Sequence, residues 1–279
     1  MIAKLVLIVA LLATGVIVAW LLLAPRWRRA RIDRVRSAGT PPDHWEELLR
    51  RRMPQFARMS PTIRARLLAQ MQVFLSEKCF VGCNGLEITE EMRVLVSAWA
   101  ALMSLGASIP YPTLRQILIY PDAFLVHKEH EDENGVVTAG REALSGESWS
   151  HGKVILSWAD IDAESGRSAV GNVIVHEFAH QLDALDGAMA GSPPIADAAA
   201  QRAWAEVFAA EYEEMQQRHR DGDYETGALD PYGATEPSEF FAVAAEAFFS
   251  TPNELERQHR RLYSALARYF AVDPREWET

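Results

Sequence analysis

Val173-Ile-Val-His176-Glu177-Phe178-Ala179-His180-Gln181-Leu182-Asp183 decides how the rest of the chain is read. The string contains H-E-x-x-H. On a helix, residues four apart share a face, so His176 and His180 can grip one Zn²⁺. Glu177 stands beside them and can take a proton from a water that the metal has acidified. The local sequence supplies the helix. Val173, Ile174, Phe178 and Leu182 offer an apolar side, and Gly187 is placed to end it. Chance gives this pattern roughly 0.02 times in a chain of this length and composition.

A catalytic zinc takes three protein ligands and leaves one position open. Two residues compete for the third place. Asp186 follows His180 by six positions, as in the metzincin string, but Asp183 stands where that string has its turning glycine. Glu239 lies in Thr235-Glu-Pro-Ser-Glu239-Phe-Phe-Ala-Val-Ala-Ala-Glu246, a strongly apolar helix whose carboxylates at 239 and 246 are seven apart and share a stripe. Carboxylates facing inward from such a helix need a cation or hydrogen-bond donors. Glu239 is therefore favoured as the third ligand, the gluzincin plan. Asp183 and Glu246 are expected to stand behind the ligands and orient them.

Outward from this centre, the chain reads as α+β, mainly helical, with a zincin-like domain over 43–279. Helices are expected at 43–52, after the cap Ser60-Pro61, from Thr89 to about Leu105, and at about 169–186, 198–219, 236–250 and 253–271. Between them, 117–158 reads as a small, mostly antiparallel sheet: 117–120, 124–126, 136–137 after the turn Glu133-Asn134-Gly135, and 154–158. Histidines 44, 127, 130, 151, 219 and 259 lack ligand spacing and read as surface residues. Cys79 and Cys83 read as free thiols.

The chain has 279 residues and a net charge of -10, which argues against nucleic-acid binding through phosphate contacts. The charge is unevenly spread. Residues 1–36 carry seven Lys/Arg against one acid, a net +6 that leaves -16 for the remainder. Leu5 to Ala24 is uncharged and would span about 30 Å as a helix, so 1–36 reads as a transmembrane anchor with its basic flank. A cleaved signal is the rival reading. The arginines after the run place the body on the cytoplasmic side, joined through a linker at 37–42. The alternative is a wholly cytoplasmic protein.

The string from His176 to Asp183, taken with Asp230-Pro-Tyr232-Gly-Ala-Thr-Glu-Pro-Ser-Glu239-Phe-Phe-Ala-Val, resembles the zinc peptidases of the Mlc titration factor A family. Phe74-Leu-Ser-Glu-Lys-Cys-Phe80, Ile117-Leu-Ile-Tyr-Pro121 and Leu144-Ser-Gly-Glu-Ser-Trp149 extend the likeness across about 43–275. The resemblance implies a gluzincin-like, aminopeptidase-type enzyme acting on a peptide or protein substrate with one Zn²⁺ per chain. It implies His176, His180 and Glu239 as ligands, Glu177 as base and Tyr232 as a hydrogen-bond donor in the transition state. It also implies an Mlc-like transcriptional repressor as partner. A non-catalytic protein that sequesters such a factor is the different-class alternative.

Overall fold

The computed structural model describes residues 2–37, 39, 41–107, 109–122, 152–164, 172–222 and 227–278. The chain divides into two units, Met1–Thr40 and Pro41–Thr279. The first is a single helix, α1 (Ile2–Ser37), which runs unbroken through Pro25 into its arginine-rich half. Among the described residues no helix is long and apolar enough to cross a membrane. This overturns the transmembrane anchor expected at Leu5–Ala24, and with it the orientation drawn from the arginines. The helix does not stop where the apolar run stops.

The second unit starts with α2 (Asp43–Arg52) and α3 (Pro61–Glu77), the latter capped by Ser60 Oγ accepting from Ile63 N–H, with Pro61 at its first position. Strand β1 (Cys79–Gly82) follows, then α4 (Glu90–Met103), which Thr89 caps. Strands β2 (Gln116–Tyr120) and β3 (Lys153–Ser157) complete a three-stranded sheet of order β1-β2-β3. Both pairings are parallel, with Cys79 opposite Gln116 and Gln116 opposite Lys153. The antiparallel sheet expected over 117–158 is therefore wrong. The first strand of the sheet, Cys79–Gly82, lies outside the span in which the sheet was expected. Parallel pairing needs a crossover, and α4 supplies it. The strand candidates at 124–126 and 136–137 and the turn at 133–135 lie outside the described residues.

The remaining helices are α5 (Trp158–Glu164), α6 (Val173–Asp183), α7 (Ala198–Arg220), α8 (Pro237–Ser250), α9 (Pro252–Gln258) and α10 (Arg260–Phe270). The single helix expected at 253–271 is broken at His259, whose non-helical backbone (φ −130°, ψ 57°) separates α9 from α10. α6 is sandwiched between β3, α4 and α8. Its apolar face buries Ile174, Val175, Phe178 and Leu182. The Phe178 ring packs 4.9 Å from Tyr111 and 5.7 Å from Phe74. Burying one such ring contributes about 2–3 kcal/mol. α8 is apolar on nearly every side and is deeply buried. Glu239 and Glu246 are its only charged residues.

Candidate metal centre

Local chemistry starts α6 where it does. Asn172 Oδ1 accepts from the N–H groups of Ile174 and Val175, both at 3.1 Å. Glu164 accepts from Val173 N–H at 2.9 Å, and Glu246 from Asn172 N–H at 2.7 Å. Two carboxylates and an amide oxygen thus serve the donors that a helix start leaves open. From this fixed start, the helical period points His176 and His180 toward α8. Their Nε2 atoms lie 3.1 Å apart.

Across the gap stands Glu239, in the first turn of α8. Its Oε2 is 3.1 Å from His176 Nε2, and its Oε1 is 3.6 Å from His180 Nε2. Ligand atoms of these three side chains all lie within 4.8 Å of one another, the only such group of three among the described residues. His180 is 1% exposed, Glu239 12% and His176 19%. Asp186 sits elsewhere. α6 ends at Asp183, a 3₁₀ turn covers Ala184–Asp186, and Gly187 closes it at a φ of 87°. Asp186 is exposed there and accepts from Ala188 N–H.

The donor set fits a divalent cation. His176 Nδ1 lies 2.7 Å from Glu246 Oε1, which fixes the proton on Nδ1 and turns the bare Nε2 toward Glu239. A lone pair and a carboxylate then face each other unless a positive charge lies between them. Glu239 Oε2 is buried and lacks a hydrogen bond of good geometry. With protein groups alone, a proton takes the place of that charge. Burial opposes a charged His176, but the carboxylates of Glu239 and Glu246 beside it win and carry its pKa up to about 10. Burial likewise raises Glu239, yet the two histidines bring it down to about 2. Two neutral imidazoles and a carboxylate suit a zinc-type ion.

Glu177 follows His176 on α6, partly buried, and its charge acts on the His176 ring. Tyr232 lies in the 3₁₀ turn Pro231–Ala234, which Asp230 caps by accepting from Tyr232 N–H at 2.8 Å. Its ring is 51% exposed, with its centroid 6.5 Å from that of His176. His176 and Tyr232 line a cleft of about 530 Å³.

Asp183 is fully buried and accepts from Gly191 N–H and Ser192 N–H, each at 2.8 Å. Burial raises its pKa against these bonds. Gly191 has a φ of 67°, and a Cβ there would sit 2.3 Å from Pro237 O. Asp183 at the end of α6 thus holds the Gly191 backbone, which packs closely against the start of α8 two residues before Glu239.

Sequence reasoning missed Glu164 and Asn172, whose only signal was an Asn before the apolar run. It also missed the partner of His259. That ring is not a surface group: its Nδ1 lies 2.7 Å from Glu211 Oε2, with both side chains mostly buried.

A sequence model of the glucose-regulated metallo-peptidase M90 family matches residues 24–271, and the chain belongs to that family. It is therefore of metallopeptidase type. An uncharacterized protein of Synechocystis sp. is 40% identical over 261 residues, covering 92% of this chain and 94% of that one. Mlc titration factor A of Klebsiella pneumoniae is 32% identical over 231 residues, covering 82% and 86%. The Serratia proteamaculans protein of the same name is 32% identical over 235 residues, covering 82% and 87%.

Proposed function

We propose that the chain is a zinc-dependent peptidase of aminopeptidase type, with His176, His180 and Glu239 holding one Zn²⁺. The observation that carries this reading is the convergence of those three side chains from α6 and α8, with Glu177 next to them. A bound Zn²⁺ supplies Lewis acidity, which acidifies water and polarises a peptide carbonyl. Glu177 receives the proton of the attacking water and hands it to the leaving amine. The Tyr232 hydroxyl, at the cleft rim, donates a hydrogen bond to the oxyanion, worth on the order of 3 kcal/mol. Glu246 acts through His176 by holding Nδ1, and Asp183 acts through the loop that it grips.

The test is metal analysis of the purified protein together with cleavage of a peptide library, with and without chelator. One zinc per chain and chelator-sensitive cleavage is the expected result. Full cleavage in chelator overturns the reading.

A second role, binding an Mlc-like transcriptional repressor, is supported by the name of the Klebsiella and Serratia relatives. Glu177 weighs against repressor binding as the sole role, because a purely structural metal site has no use for a carboxylate beside its ligands.

A further inference from the structure

The segment that carries Tyr232 has two faces. Ala228, Asp230 and Tyr232 line the cleft beside the candidate metal centre. Gly227, Leu229 and Pro231 alternate with them and line a narrow crevice against α7 and the break at His259. The Tyr232 ring is 51% exposed, so packing alone does not fix its place. Its backbone is fastened on both sides. Tyr232 N–H donates to Asp230 Oδ1 at 2.8 Å. Tyr232 C=O accepts twice from one residue, from Thr235 N–H at 3.1 Å and from Thr235 Oγ1 at 2.7 Å.

Thr235 stands where the turn meets the ligand helix. It follows Ala234, the last residue of the turn, and comes two residues before α8 begins at Pro237 and four before Glu239. At Gly233 the turn lies hard against its neighbours. A Cβ there would come within 3.4 Å of Phe240 Cα and Val243 Cβ, and within 3.2 Å of Met215 Sδ. The turn therefore cannot close further on α7 or α8, and the Thr235 bonds keep it from unwinding. The Thr235 side chain is itself exposed, and a single neutral hydrogen bond there adds little to global stability.

Resting on the peptidase reading, we propose that Thr235 is a positioning residue for Tyr232. Its two bonds to the Tyr232 carbonyl set where the Tyr232 hydroxyl stands relative to Glu239, and hence relative to the oxyanion. Thr235 acts through Tyr232 and not on the substrate. Removing an oxyanion donor costs about 10²–10³ in kcat, and misplacing one costs part of that, about tenfold.

The experiment is a double-mutant cycle on the zinc-loaded full chain, followed with a fluorogenic tetrapeptide that has a free N-terminus. Thr235→Val removes the hydroxyl and keeps the shape. Thr235→Ser keeps the hydroxyl. Tyr232→Phe removes the group being placed. Thr235→Val should lower kcat about tenfold with KM within about twofold, and Thr235→Ser should restore kcat. In the Tyr232→Phe background, Thr235→Val should cost nothing more. Full kcat in Thr235→Val, or an equal loss in both backgrounds, overturns the proposal and leaves the peptidase reading standing. Amide hydrogen exchange of the metal-free chain gives a readout that does not pass through turnover. The amides of Gly233, Ala234 and Thr235 should exchange at least about fivefold faster in Thr235→Val. The melting temperature should move by less than about 4 °C. Unchanged exchange overturns the proposal as well. A chain that cleaves no peptide overturns the peptidase reading, and the catalytic role of Thr235 falls with it.

Discussion

Glu246 Oε1 and His176 Nδ1 lie 2.7 Å apart, so a residue on α8 sets the tautomer of a ring on α6. The other oxygen of Glu246 holds Asn172 N–H, one residue before that helix begins. Replacing Glu246 by Ala frees the ring and the helix start at once. Zinc affinity should fall about 10- to 100-fold, the scale for losing a partner of a ligating histidine. Competition against a chelator of known affinity measures it. Unchanged affinity removes Glu246 from the centre.

Glu177→Gln keeps the size and polarity of the side chain but cannot accept a proton. Zinc content should stay near one per chain while turnover drops by at least about 10²-fold. Turnover at the unmutated rate would exclude Glu177 as the base.

Glu239 and Asp186 separate the two ligand plans. Glu239→Ala leaves two histidines, too few for tight binding, and zinc should be lost on dialysis. Asp186 is exposed and caps a turn, so Asp186→Ala should retain its metal. Stoichiometry measured in both variants decides, and the reverse pattern would restore the metzincin plan.

Gly191→Ala meets two obstacles. The backbone has a φ of 67°, and the new Cβ would press on Pro237 O. Left-handed strain costs on the order of 1–2 kcal/mol, and the contact adds to it. The melting temperature should fall by several degrees, with zinc affinity weakened because Pro237 shifts near Glu239. A variant as stable as the parent would show that the loop relaxes freely.

Asp273 gives a pH signature away from the centre. Hydrogen bonds from Arg275, with a further one from Tyr263, outweigh its burial and hold its pKa near about 2. A depressed carboxyl stabilises the fold above its unfolded pKa, near 3.9, and that contribution fades as pH falls toward 2. Asp273→Asn should therefore show a shallower loss of melting temperature than the parent between about pH 4 and pH 2. Parallel profiles would assign acid unfolding to other groups.

The helices were legible because each carries its own signals. Ser60-Pro61, Thr89 and Gly187 stand where the structure uses them as caps. The juxtaposition of His176, His180 and Glu239 was legible for a related reason: an acid on an otherwise apolar helix needs a positive partner. The sheet was not legible. β1 has only four residues, and its partner begins 37 positions later in the chain, beyond a whole helix. Local pattern carries no information about such pairing. The first 37 residues misled in another way. Apolar character suggested a boundary after Ala24, but helical hydrogen bonding continues through Pro25 to Ser37. Hydropathy marks a change of solvent preference, and that need not coincide with a change of backbone.

Between Asp183 and Pro237 lies main chain: Gly191, whose N–H the Asp183 carboxylate holds and whose backbone packs closely on Pro237. It acts as a gauge: the separation of the two donor-bearing helices is measured in peptide units. Drift among the apolar residues around it can change volumes without resetting that distance. The three donors stand gathered at one point in the folded chain. A cation that bound there would meet donors already in place, and its capture would require desolvation and loss of a proton rather than a search through conformations.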